Sequence, residues 1–132
     1  MAVATEKGVK ILVADDENAV RASVAFVLKQ AGHTVQTVSN GENALTKLSK
    51  SPGEYKILMT DHYMEKMTGL ELLQRLRKIG FRGRIVVLSG YLNHDLEATY
   101  LALGADRIIR KPFDLVELRR TIEDLRPERE EE

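Results

Sequence analysis

The chain has 132 residues, enough for one domain that buries most of the surface its unfolded form exposes. Its 20 basic and 20 acidic residues cancel, and the basic ones gather in no patch or stripe, so the electrostatic footprint of direct nucleic-acid binding is missing. Cysteine is absent, which excludes disulfides and thiolate metal sites, and the sequence holds neither a signal peptide nor an apolar run of membrane-spanning length. These features read as a soluble, cytoplasmic protein.

Beyond an N-terminal extension, residues 1–8, the pattern alternates five times between a short apolar run and a segment of helical period. Such alternation predicts a parallel sheet with helices on both faces. The first strand, residues 9–14, is closed by Asp15 and Asp16. Residues 18–31 follow as a helix with Val20, Val24, Val27, Leu28 and Ala31 on one stripe and Gly32 just past its end. Residues 34–38 alternate as an edge strand does. Ser39-Asn40-Gly41-Glu42 has capping-box spacing and opens a helix that points Ala44, Leu45 and Leu48 inward until Ser51-Pro52-Gly53 stops it.

The third strand, residues 55–60, is closed by Asp61. Thr68-Gly69-Leu70-Glu71 repeats the capping-box spacing and launches a helix whose stripe is Leu72, Leu73, Leu76 and Ile79. The cluster Arg75, Arg77, Lys78, Arg82 and Arg84 reads as a solvated face. Residues 84–88 form the fourth strand, closed by Ser89, and a less regular helix runs from about His94, after an Asn93 cap, to Leu103, where Gly104 ends it. The fifth strand, residues 106–110, ends at Lys111. An Asp114 cap then starts a last helix with Leu115, Leu118, Ile122 and Leu125 at 3-4-3 spacing, and a charged tail, residues 126–132, is expected to fray.

A doubly wound α/β sheet of five parallel strands is commonly ordered 2-1-3-4-5, and ligands bind at the strands' carboxyl ends, where the winding switches between strands 1 and 3. Asp15, Asp16 and Asp61 fall at that crevice, with Ser89 and Lys111 on the same edge. Each residue alone has a plain alternative, as helix cap, strand terminus or solvated charge, yet an accident at four strand ends together is far less probable than at one. The set suits a hard cation such as Mg2+, which takes one or two carboxylates, waters and phosphate oxygens. A carboxylate can also attack phosphorus, provided that a metal and a lysine offset the added negative charge and a hydroxyl binds a phosphoryl oxygen.

Leu12-Val13-Ala14-Asp15-Asp16, Ile57-Leu58-Met59-Thr60-Asp61, Thr68-Gly69-Leu70-Glu71-Leu72-Leu73, Val86-Val87-Leu88-Ser89-Gly90 and Lys111-Pro112-Phe113 stand in one register across residues 9–125. In these motifs the chain resembles the receiver domain of two-component response regulators, a flavodoxin-like fold with single-domain members such as the chemotaxis regulator. The resemblance implies that Asp61 is the phosphoacceptor, Asp16 a direct Mg2+ ligand, Asp15 a ligand through water and the Tyr63 backbone carbonyl a further ligand. It also implies that Ser89 is the switch hydroxyl, that Lys111 binds phosphate and that the Lys111-Pro112 bond is cis. The implied partners are a histidine kinase or phosphotransfer protein and a downstream target on the face of helix 4, strand 5 and helix 5.

Three departures qualify that pattern. Met64-Glu65-Lys66-Met67-Thr68-Gly69 lacks the usual proline, which predicts a more mobile loop; Ile108 replaces the switch aromatic of strand 5; Tyr63 and Tyr91 put bulk two residues beyond Asp61 and Ser89. The switch is therefore expected to run through the backbone after Ser89 and repacking near Tyr91 and Tyr100. His33, His62 and His94 follow no metal spacing and read as surface residues. With no effector segment after the last helix, output is expected through another protein or a phosphorelay. A phosphorylation-independent binding module of the same fold is the main rival. An aspartate-nucleophile phosphatase would need an acid where Tyr63 stands, and a flavin carrier would meet repulsion from Asp15-Asp16-Glu17.

Overall fold

The computed structural model describes residues 8–126. Residues 1–7 of the expected extension and the tail from residue 127 onward lie outside the described residues. The chain alternates without exception: β1 (Lys10–Ala14), α1 (Asn18–Gln30), β2 (Thr34–Val38), α2 (Gly41–Lys50), β3 (Ile57–Asp61), α3 (Gly69–Lys78), β4 (Arg84–Ser89), α4 (His94–Ala102), β5 (Arg107–Arg110) and α5 (Leu115–Leu125). All five strands are parallel, in the order β2-β1-β3-β4-β5, as the alternation predicts.

The two-residue period of a strand divides the core into two layers. Leu12, Leu58, Ile85 and Val87 pack with Ala44, Leu48, Leu72, Leu73, Leu76 and Tyr100 of α2, α3 and α4. Ile11, Val13, Ile57, Met59, Val86 and Leu88 pack with Val24, Leu28, Leu118 and Ile122 of α1 and α5. The three inner strands are apolar on both faces because helices cover both. Among the described residues no helix is long and apolar enough to cross a membrane.

Local chemistry sets the helix starts. Thr68 and Glu71 form a reciprocal capping box at α3, and Asn93 and Asp114 cap α4 and α5. At α2 the cap is Asn40, which accepts from the Asn43 amide at 2.8 Å; the expected Ser39 box does not form because the helix begins one residue later. Ile79, expected on the buried stripe of α3, is the C-cap residue and exposed. Arg77 departs from the solvated reading: its guanidinium donates to the carbonyls of Leu103 (2.6 Å), Phe81 (3.0 Å) and Gly104 (3.1 Å), satisfying helix-end acceptors of α3 and α4. Arg84 pairs with Asp106 at 3.5 Å. Arg126, placed in the fraying tail by its sequence, is buried and pairs with Glu123 at 3.3 Å.

Gly69 opens α3 where the helix touches the end of β3. A Cβ there would lie 2.4 Å from the Asp61 carbonyl oxygen and 2.7 Å from the Tyr100 hydroxyl. Gly→Ala in a helix ordinarily gains about 0.5–1 kcal/mol, but a clash with fixed backbone costs about 1–3 kcal/mol, so the net sign reverses here. Gly69→Ala should lower the midpoint of urea unfolding, whereas Gly53→Ala, with open space around its Cβ position, should leave it nearly unchanged.

Candidate functional site

Four strand ends meet at the carboxyl edge of the sheet. Asp15 follows β1 and is fully buried, while Asp16 beside it points into solvent. Asp61 ends β3 and is buried. Carboxylate oxygens of Asp15, Asp16 and Asp61 lie within 4.8 Å of one another. Lys111 follows β5, and its ammonium reaches back across the edge to Asp15 Oδ2 at 2.8 Å, Glu17 Oε1 at 3.0 Å and Asp61 Oδ2 at 3.5 Å. The Lys111-Pro112 bond is cis, as the resemblance implies.

Backbone amides fix the acids. Asp15 Oδ1 accepts from the Glu17 amide at 2.9 Å, and Asp61 Oδ1 accepts from the His62 amide at 2.8 Å. Ser89, the last residue of β4, is buried, and its hydroxyl has no hydrogen-bond partner among the described residues. A buried hydroxyl left so is costly unless a ligand uses it. The sheet register sets Asp61 against Leu88 and Ser89 against Arg110, which brings the ends of β3, β4 and β5 level.

The charges are unequal: Asp15, Glu17 and Asp61 share one lysine, with Asp16 beside them. Burial, then the charge of Asp15, pushes the Asp61 carboxyl up to about 6, against the opposing pull of Lys111 and the His62 amide. Burial pulls the Lys111 ammonium down, but its hydrogen bonds to Asp15 and Glu17 and the charges of Asp61 and Asp15 outweigh it, so the pKa rises. Lysine therefore stays charged, while Asp61 is held as an anion less readily than an ordinary carboxylate. The donor set fits magnesium: clustered carboxylates, no thiolate or imidazole in the cluster, and one exposed acid at the mouth.

Structure thus brings together Asp15, Asp16, Asp61 and Lys111 and puts Ser89 on the same edge. Tyr63 is exposed on the adjoining loop, as is Tyr91. That loop is packed down by buried Met64 and Met67, and Lys66 takes the left-handed conformation at φ 75°. Glu17 is the contributor missed as a site residue. It stands at the N-cap of α1 but its side chain caps nothing, because the carboxylate is engaged with Lys111. Three acids in a row before a helix were the available signal.

The surface reading of the histidines holds for His94 alone. His33 is buried; its Nδ1 accepts from the Val9 amide at 3.1 Å and its Nε2 faces Glu123 at 3.3 Å. His33 shares the buried parity of Val35, which is why the fold takes it in. His62 is buried as well, with Nδ1 2.5 Å from the Tyr100 hydroxyl, and burial lowers its pKa.

The family description "Response regulator receiver domain" matches residues 11–123. NtrC of Azospirillum brasilense, a DNA-binding transcriptional regulator, is 34% identical over 113 residues, which are 86% of this chain and 23% of that protein. The chain thus spans about a quarter of that relative. CpdR of Brucella abortus, a response regulator receiver protein, is 32% identical over 120 residues, 88% of this chain and 95% of that one. The solved structure of TrrA from Thermotoga maritima, a response regulator in complex with Mg(2+)-BeF, superposes with a TM-score of 0.78 at 30% identity, covering 89% and 99% of the two chains.

The raised Asp61 pKa has a measurable consequence in metal-free protein. A carboxyl raised from 3.8 to about 6 favours the folded state fully below about pH 4, and that contribution is lost as pH climbs through 6. At pH 7 the loss is on the order of 2–3 kcal/mol. Asp61→Asn should therefore be more stable than the parent at pH 7 by up to that amount, with the gap closing toward pH 4. Urea unfolding in a chelating buffer at several pH values checks this; a pH-independent gap would contradict it.

Proposed function

The chain belongs to the response regulator receiver domain family, and on that footing we propose that Asp61 accepts a phosphoryl group from a histidine kinase or phosphotransfer protein and signals by binding a downstream target. The observation that carries this reading is the Lys111 ammonium shared between Asp15 and Asp61, on the edge that also bears the unpartnered Ser89 hydroxyl. An ammonium and a free donor beside a buried carboxylate suit a phosphoryl group joined to that carboxylate.

In the transfer, an Asp61 oxygen forms a bond to phosphorus as the phosphorus–nitrogen bond of a donor phosphohistidine breaks. The departing imidazole keeps the bonding electron pair and takes up a proton. Asp16, Asp15 through water, Asp61 and the Tyr63 carbonyl would hold magnesium, which would supply positive charge against the charge that the phosphoryl group brings. Lys111 gives up part of its contact with Asp15 and Glu17 for a phosphoryl oxygen, and the Ser89 hydroxyl donates to another. Tyr63 and Tyr91 flank the mouth and limit the approach of hydrolytic water. Output runs through α4, β5 and α5, in the cytoplasm, and self-catalysed gain and loss of phosphate is the only chemistry in this reading.

Acetyl phosphate with magnesium should add the mass of one phosphate, removable by hydroxylamine as an acyl phosphate is. Asp61→Asn should add none. Asp16→Ala should weaken magnesium binding, read by calorimetry, by roughly tenfold or more. A stable adduct on His62 or Ser89 would overturn the assignment, and no adduct at all would favour a phosphorylation-independent binding module.

A further inference from the structure

Tyr100 is the single fully buried side chain of α4; the remaining residues of that helix are exposed or half-buried. Its hydroxyl lies 2.5 Å from His62 Nδ1, and the two rings stand edge to face at a centroid separation of 5.6 Å. His62 is the residue after Asp61. Its amide donates to Asp61 Oδ1, and its carbonyl accepts from the Gly69 amide at 2.9 Å. The absent side chain of Gly69 is what leaves room for the Tyr100 hydroxyl against the Asp61-His62 backbone.

The enclosure matters because a hydrogen bond shielded from water is stronger, and costlier to distort, than an exposed one. His62 is held at three points: amide on Asp61, carbonyl on α3, ring on α4. It cannot follow a change at Asp61 without moving Tyr100. Ile108 of β5 is apolar and offers no hydrogen bond toward the site, so among the described residues Tyr100 is the hydroxyl-bearing ring that reaches from α4 toward Asp61.

We infer that Tyr100 is a positioning residue for Asp61, acting through the His62 ring and amide, and that the same contact carries the occupancy of Asp61 to α4. This rests on Asp61 being the phosphoacceptor. Once Oδ1 changes charge on forming an acyl phosphate, its bond from the His62 amide weakens, the ring shifts and Tyr100 draws α4 with it. Coupling is reciprocal, so the hydroxyl that reports on Asp61 also biases how readily Asp61 is occupied.

Tyr100→Phe removes the hydroxyl and keeps the ring in the core. Tyr55→Phe is the matched control, since Tyr55 is also buried in the same core layer and bonds Gln36 through its hydroxyl, but stands before the start of β3, at the opposite end of that strand from Asp61. Amide chemical shifts are compared with and without beryllofluoride and magnesium, and intact mass follows phosphate uptake. Tyr100→Phe should still gain one phosphate, about fivefold more slowly, the effect of one hydrogen bond. Its beryllofluoride-induced shifts over residues 94–102 should fall to less than half of the parent's, while Tyr55→Phe keeps them. Equal shifts over residues 94–102 in Tyr100→Phe and parent would overturn the inference. Should Tyr100→Phe fail to fold, the imidazole nitrogen shifts of His62 in the unaltered protein decide: they should change on beryllofluoride binding, and unchanged shifts would overturn it. A parent that responds nowhere to beryllofluoride and gains no phosphate would instead refute the phosphoacceptor assignment.

Discussion

The Lys111 ammonium, shared by Asp15, Glu17 and Asp61, is the contact on which the rest of the site depends. Two buried carboxylates cannot stand side by side without a counter-charge; desolvation and mutual repulsion would force a proton onto one of them. Lys111 limits that outcome without abolishing it, because it lies 2.8 Å from Asp15 and 3.5 Å from Asp61. The longer contact compensates Asp61 less, and burial, with the charge of Asp15, pushes its carboxyl up to about 6. Geometry has thus divided the roles: Asp15 takes the shorter lysine contact and the Glu17 amide, and Asp61 is left in want of a ligand.

The scaffold makes this imbalance tolerable. Ile11, Val13, Ile57 and Met59 bury one layer beneath the site, and Leu12, Leu58, Ile85 and Val87 bury the other. Both layers are buried, so an under-compensated edge does not unravel the sheet. Strain of this kind is expected where function needs it and is offset elsewhere in the fold.

Much of this was legible in the chain. The alternation of strands and helices follows from apolar period, the strand order from the common winding of such sheets, and the placing of Asp15, Asp16, Asp61, Ser89 and Lys111 at strand ends from where polar residues interrupt that period. What escaped depends on three-dimensional neighbours. Arg77 looked like one more surface cation, because nothing in its flanking residues says that two helix ends converge on it. His62 and His33 looked solvated because loop histidines usually are; His62 is buried by Tyr100, 38 residues away, a pairing no local pattern encodes. Ser39 and Asn40 are both competent caps, and only the point where the backbone turns helical chooses between them. Glu17 was visible as a charge but not as a ligand of Lys111, 94 residues on.

Charge also dictates the order in which the site is filled. With Asp15, Asp16, Asp61 and Glu17 set against one lysine, an incoming phosphoryl group meets a surplus of negative charge at its reaction centre. Coulomb repulsion between unit charges about 4 Å apart is about 4 kcal/mol even at an effective dielectric of 20, enough to suppress attack by several hundredfold. In the proposed reaction a cation would therefore bind before the phosphoryl group, and Asp16, the exposed member of the cluster, is open to it. A cation held by Asp16, and by Asp15 through water, would compete for the Asp15 carboxylate that holds Lys111 at 2.8 Å and so free the ammonium for a phosphoryl oxygen. In the proposed reaction the exposed acid and the buried acid would hold the cation while the shared lysine turns toward Asp61, so that the phosphoryl group would come into a positive environment.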